Sequence, residues 1–510
     1  MKFIDVEKKI AEGKSISEDE KEFILKKIDD YWDNHPDVLD RFPRWKKYIA
    51  WTAGYQSYDY NRVTRALVDV PLDKQRRLVI NKIKPYVRTL LSKLTADMPQ
   101  MSVVPNTTED EDIQGARVGD KIIEGLSEKL DFDATVTNLK LWTILCNRSF
   151  VHVFWNEDDE GVVGYGNAPQ EADGKEPLDV TFNPEALSQP DAPMVPITEA
   201  GEVCIEAISP FNCRVDTLYW EHSKWRWFLY GDEVDAERLE EKYELKAGSL
   251  KEHDDTFEKA YDIELSDEQD VAMGSPDKKE DPTDRAIVRK EFWTPKIYIF
   301  TAGKKILEYG KNEFKTIPFF PIEDRLVPIS SYDKEFSYNE SLIRDVIPIQ
   351  REYNRQASLK SIALDRASKL KVMSPIGSLL SKKQWTNDYG VFIDYNPHAG
   401  EPHQLKIEPF PMEMLQYEQG LEAQMQSSMS LSPASFGQLP ERASHASGTL
   451  VNLLLEQDEV ILNPLLNCIN KAISKVWTLA LQIVQSNYTA SRLTKITGDD
   501  GAASVEKFKG

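Results

Sequence analysis

The order of elements between Tyr338 and Ser486 constrains this chain more than any single motif. The pattern predicts a helix, a short block of strand-like sequence, a second helix, a loop of small residues and a very long helix. Glu340–Lys371 repeats apolar residues at helical spacing, among them Ile343, Val346, Ile349, Tyr353, Ala357 and Ile362, with Pro348 inside the run. Met412–Met429 does the same with Met414, Leu415, Leu421, Met425 and Met429. Thr449–Gln485 is long and rich in Leu and Ile, and Pro464 is expected to bend it near its middle.

The block between the first two helices, Val372–Phe410, is broken by Ser374-Pro375-Ile376-Gly377 and Asn396-Pro397-His398-Ala399-Gly400. Its strand-like runs are Tyr389–Tyr395 and Gln404–Ile407. Such a block is too small to bury a core of its own. It is expected to be stable only against other chains, as in a ring of identical copies. The flanking helices differ in charge. The first carries seven bases against four acids, and the second carries Glu413, Glu418 and Glu422 with no base. They are expected to pair, within a subunit or between neighbours.

Residues 1–330 read as an α+β body, helices first and strands after. Helices are expected at 17–34, 37–51, Asp73–Ala96 with a kink at Pro85, Asp110–Lys129 and Asp133–Cys146. Met101–Pro105 and Ser149–Trp155 read as strands, with His152 a packed core residue of the second. Val203–Ile208 leads into a turn at Ser209-Pro210-Phe211-Asn212, and Trp225–Tyr230 is a further strand. Asp235–Lys246 reads as a short charged helix. Ala286–Phe300 and Lys304–Tyr309 flank a turn at Thr301-Ala302-Gly303, and Pro318–Val327 is extended.

The charge excludes one class of function. The net charge is −22, and most of it lies in Asn156–Ala200 and Glu252–Arg285, which read as solvated acidic loops. A protein that grips DNA phosphates carries a basic face. An acidic chain argues against such a grip and not against a duplex that slides past. No apolar run is long enough to cross a bilayer. MKFIDVEKKIAEGK holds no apolar signal core, so a cytosolic product is expected. Cys146, Cys204, Cys213 and Cys468 form no CxxC pair and read as buried free thiols.

Enzyme motifs are missing. Gly13-Lys14-Ser15 lacks the upstream glycine and preceding strand of a phosphate-binding loop. There is no HExxH, GxSxG or dinucleotide-binding glycine set. His398, Glu401 and His403 share a Pro/Gly loop without the rigid spacing of metal ligands, and Asp158-Asp159-Glu160 reads as a solvated turn. No catalytic, cofactor or metal residue is assigned. The alternatives carried forward are another ring-forming capsid or tail component, or a cytosolic enzyme with an unrecognised site.

The element order resembles the portal (head-to-tail connector) proteins of tailed bacteriophages. The run Glu340-Ser341-Leu342-Ile343-(x)4-Pro348-Ile349-Gln350-(x)3-Asn354 is similar to that family's entry into its first stem helix. Asn81–Pro105 and Val151–Trp155 also look portal-like. The resemblance implies an α+β wing at 1–340, a first stem helix at 341–371, a clip at 372–410 and a second stem helix at 411–429. It further implies a tunnel loop at 430–448, a long kinked helix at 449–485 and a short tail at 486–510. It implies a homo-oligomeric ring, a dodecamer, at one capsid vertex of the virion. The implied partners are terminase, head-tail adaptors, the major capsid and scaffolding proteins, and double-stranded DNA passing through the channel, with no membrane. Arg442 and His445, in the implied tunnel loop, are the DNA-contact candidates. Lys382, Lys383 and Trp385, at the tip between the two helices, are the partner-docking candidates.

Overall fold

A computed structural model describes residues 2–61, 66–69, 78–96, 98–99, 101–105, 107–167, 194–219, 221–250, 286–324, 340–368, 372–378, 394–404, 412–436, 448–488, 492–497 and 503–508. The architecture is α+β, with antiparallel strand pairing throughout the described sheets.

The chain opens with α1 (Phe3–Ala11), α2 (Glu18–Asp33) and α3 (Pro36–Ala53). The sequence reading missed α1. Ser17 caps α2 in a reciprocal box with Glu20. His35 caps α3, and Pro36 takes the first helical position, where its missing N–H costs nothing. A short hairpin, β1 (Tyr58–Asn61) with β2 (Ala66–Asp69), follows.

Next come α4 (Ile83–Ala96), α5 (Asp110–Lys129) and α6 (Phe132–Cys146). The expected helix Asp73–Ala96 is shorter than its pattern. Leu78 and Val79 are exposed, extended chain, and Pro85 lies in the first turn of α4 rather than at a kink. Met101–Pro105 is extended but joins no sheet, which corrects the expected strand. Instead, the Val103 N–H donates to Asp120 of α5 at 2.5 Å.

Two sheets follow. One is three-stranded, in the order β10 (Phe319–Ile322), β3 (Ser149–Asn167), β4 (Met194–Ile208). Here β3 and β4 run on into the acidic stretch read as a loop, so both ends of that stretch form a ribbon. The other sheet has five strands: β5 (Cys213–Val215), β6 (Phe228–Asp235), β7 (Ala286–Trp293), β8 (Ile297–Ala302) and β9 (Lys305–Lys311). Ala286–Phe300 is therefore two strands, because Thr294 turns the chain: its hydroxyl accepts the N–H groups of Lys296 and Ile297. Asp235 caps α7 (Ala236–Lys242). The second acidic stretch, Glu252–Arg285, lies outside the described residues.

Helices α1 and α2 cover one face of the five-stranded sheet. Val6, Ile10, Ile24, Ile28 and Trp32 meet Leu229, Val288, Phe292, Ile297 and Ile299. Gly231 lets Trp32 approach, since a Cβ there would come within 2.1 Å of the indole ring. The two sheets meet through Phe150, Phe228 and Phe319. His152 is buried there, stacked 4.0 Å from the ring of Phe319, as its core reading anticipated.

The second half supplies α8 (Ile343–Ser368), the strand pair β11 (Val372–Met373) and β12 (His403–Gln404), α9 (Met412–Ser428), α10 (Gly448–Asn487), and the hairpin β13 (Arg492–Thr497) with β14 (Ala503–Phe508). The hairpin went unread. The largest core joins α3, α4, α6, β3 and β4 to the buried faces of α8, α9 and α10. Ile469, Ile473, Val476, Trp477 and Ala480 hold the second half of α10 in it. Cys146, Cys204 and Cys213 are buried free thiols, and Cys468 is half-buried. No helix among the described residues is long and apolar enough to cross a membrane.

Candidate functional site: the root of the helix pair

Helix α8 begins on a polar anchor. The Ser341 hydroxyl donates to the Ile144 carbonyl at the end of α6 (2.7 Å) and accepts the Ile343 N–H (3.1 Å). That bond satisfies one of the open donors of the first turn. Glu340 accepts from Tyr48 Oη at 2.7 Å and from Arg344 Nε at 2.9 Å, and it also pairs with Arg44. Burial, then the bond to Glu340, raises the pKa of Tyr48 well above the ordinary phenol range, so Tyr48 stays a donor.

Along the next two turns, side chains of α8 hold the non-helical segment Leu78–Lys82, which joins no sheet. Gln350, Asn354 and Ser358 stand at i, i+4 and i+8. Gln350 Oε1 accepts the Lys82 N–H at 3.1 Å, Asn354 Oδ1 accepts the Ile80 N–H at 3.1 Å, and Ser358 Oγ accepts the Leu78 N–H at 3.0 Å. The geometry explains the match. Four helical residues rise about 6 Å, and two extended residues span about 6.6 Å. Every second N–H of the segment therefore meets every fourth residue of the helix. Gln350 returns a bond from Nε2 to the Ile80 carbonyl at 2.8 Å. The network then continues inward: Asn354 donates to Gln56 at 2.5 Å, Gln56 to Asn81 at 3.0 Å, and Asn81 to the Thr52 carbonyl at 2.9 Å.

Helix α9 packs beside α8 with Leu421 and Met425 buried at i and i+4, and Met429 is buried just past its end. The expected charge pairing is present within the chain. Lys360 of α8 reaches Glu418 at 3.0 Å, and Lys82 reaches Glu422 at 2.6 Å. The second pair draws its base from the extended segment rather than from α8. Beyond the root, the described part of the strand block holds little apolar mass. Met373 is 62% exposed, and Ile376 is fully exposed. Ser378 is the buried exception; its hydroxyl donates to the Gly400 carbonyl at 2.6 Å.

The residues named in advance are not placed by this geometry. Lys382, Lys383 and Trp385 lie in 379–393, and Arg442 and His445 lie in 437–447, both outside the described residues. The strand-like run Tyr389–Tyr395 lies outside them except for Asp394 and Tyr395. His398 and His403 are exposed, and no metal-holding group of three His, Cys, Asp or Glu occurs among the described residues. Sequence reasoning named Gln350 and Asn354 as part of a helix entry but gave them no task. Gln56 and Asn81 were not given a task either: they bond each other 25 residues apart, and Gln56 meets Asn354 from 298 residues away.

The model of the phage P22-like portal protein family matches residues 216–509, more than half of the chain. The chain belongs to the phage P22-like portal protein family. No curated protein matches the sequence. The matched segment takes in the sheet from β6 onward, the α8–α9 pair and the whole of α10. Membership makes this a structural component of a phage capsid, the portal, in a family that is not one of enzymes.

Proposed function

We propose that the chain is the subunit of a closed ring, a dodecamer, that forms the DNA passage at one vertex of the capsid. The observation that carries this reading is the α8–α9 pair. Both helices are rooted in the body core by buried residues and a satisfied polar network. Apart from buried Ser378, the described part of the block they lead to is exposed or half-buried. A polar element of that kind gains its stability from neighbours.

In this reading residues 1–340 are the wing, 341–371 and 411–429 the stem helices, 372–410 the clip, 430–448 the tunnel loop, and 449–485 the kinked helix. Residues 486–510 follow as the tail. The acidic ring lets DNA slide, with Arg442 and His445 touching phosphate weakly. Terminase, and later the head-tail adaptors, dock at the clip. Capsid and scaffolding proteins surround the wing during assembly in the host cytoplasm. Trp385 with Lys382 and Lys383 combines an aromatic anchor with charge, a common composition for interface hot spots.

The test is the triple variant Lys382→Ala, Lys383→Ala, Trp385→Ala. It is expected to keep the ring and to lose terminase or adaptor binding in a pull-down with purified partners. Normal DNA packaging by this variant contradicts the docking assignment. Loss of the ring moves the patch to the subunit interface.

A further inference from the structure

We propose that α3, backed by the end of α6, is the coupling through which a displacement of α8 reaches the three-stranded sheet, and the reverse. The coupling lies within one chain and does not depend on the ring.

One stripe of α3 holds both elements. Asp37, Arg41, Arg44 and Tyr48 stand at i, i+4, i+7 and i+11, on one side of the helix. The first two hold the end of β10. Arg148, between α6 and β3, lies 3.3 Å from Asp37 and 3.3 Å from Glu323. Arg41 lies 3.4 Å from Asp37 and 3.8 Å from Glu323. These two cations and two carboxylates are almost wholly buried. Asn147 Nδ2 donates to the next carbonyl, that of Asp324, at 2.9 Å. The other two residues of the stripe hold the entry to α8: Arg44 pairs with Glu340, and Tyr48 donates to it at 2.7 Å. The end of α6 acts on this side too, since Ser341 bonds the Ile144 carbonyl.

Pro43 interrupts the hydrogen-bond ladder of α3 between the two pairs. Packing makes up for the missing bond. Phe42 and Trp45 stack at 5.5 Å, and they meet Phe211 at 5.0 and 5.5 Å, so the turns on either side of the proline rest on one ring. The covalent connection between the two elements is longer than the gap requires. Residues 325–339 can reach about 50 Å when extended, whereas Glu323 and Glu340 are held by Arg41 and Arg44, less than one turn apart on α3. A displacement therefore passes through the contacts and not through tension in the chain. Breaking a buried charge pair one partner at a time is costly, so such contacts hold or give way together.

Hydrogen exchange of the full chain, read by mass spectrometry, tests the coupling by breaking each end and reading the other. Glu340→Ala removes the acceptor of Arg44, Tyr48 and Arg344 and is read at β10. Glu323→Ala removes the acceptor of Arg41 and Arg148 and is read at the first two turns of α8. Coupling free energy between two sites is reciprocal, and exchange reports the free energy of local opening. Each variant is expected to speed exchange at the far end by about fivefold or more, the lower end of measured couplings. Strands β7 and β8 of the five-stranded sheet are expected to stay unchanged in both. Lys360→Ala breaks a pair elsewhere on α8 and is expected to leave β10 unchanged. If Glu323→Ala does not fold, Glu323→Gln removes the charge, keeps an acceptor and carries the same expectation at a smaller size. Change confined to the altered end, or in one direction only, overturns the proposal. An equal rise in every protected segment, or a rise at β10 from Lys360→Ala, overturns it as well.

Discussion

Gln350 shows how one side chain can carry an architecture. It is fully buried, and both ends of its amide are spent on the backbone of the Ile80–Lys82 segment. Gln350→Ala leaves the Lys82 N–H and the Ile80 carbonyl without these partners in a partly buried site. An unmade buried hydrogen bond costs about 1–3 kcal/mol. The expected outcome is a loss of that size in urea unfolding, with Gln350→Glu also destabilising, because a carboxylate cannot donate to the Ile80 carbonyl. A change below about 0.5 kcal/mol in both variants contradicts the role given to this network. Three buried or half-buried histidines make a second prediction at this scale. Burial, and then the charge of Lys475, holds His222 at about 4. Burial likewise lowers His35 and His152. The unfolded chain takes up these protons near its ordinary histidine value, and the folded chain does not. Stability is therefore complete above about pH 6.5 and falls as the pH drops toward 4, by up to about 1.4 kcal/mol per unit for each histidine. His222 Nε2 lies 3.1 Å from the Ile317 carbonyl, a bond that a glutamine amide can replace. His222→Gln is expected to flatten the urea midpoint between pH 6.5 and 4, and an unchanged slope contradicts this assignment.

At the scale of elements, two forces hold α9 to α8, and their sizes differ. The ion pairs Lys360–Glu418 and Lys82–Glu422 are half-exposed, and pairs of that kind contribute about 0–1 kcal/mol. Met425 is fully buried in the main core, and truncating such a side chain costs about 2–5 kcal/mol. Met425→Ala is expected to lower the thermal midpoint far more than Lys360→Ala or Glu418→Ala. The reverse order means that charge, not packing, joins the helices. What the sequence disclosed of these elements follows the same division. Asp110–Lys129 was legible to the residue because one stripe of a surface helix is buried and the rest is wet. Leu78 and Val79 misled because apolar residues in extended chain imitate a helical run when α4 begins just beyond them. The ribbon β3–β4 was cut short in the reading because the stretch it enters is acidic and proline-rich as a whole, while its strands pair residues as far apart as Phe150 and Ile208. The polar root was illegible in kind: Gln56, Asn81 and Asn354 are ordinary amides until the fold brings them together.

On the scale of the whole molecule, the account joins a family membership to a surface. The matched family makes the chain a phage portal component. Met373 and Ile376, together with Val460 and Ile461 of α10, are exposed apolar residues among those described. The central claim is that this surface is covered by identical copies in a closed ring. Native mass spectrometry of the purified full chain tests it most directly. The expected result is a dominant species of about 700 kDa, twelve times the 58.4 kDa subunit, persisting at micromolar concentration. A stable 58.4 kDa monomer under those conditions, with no larger closed species, contradicts the account.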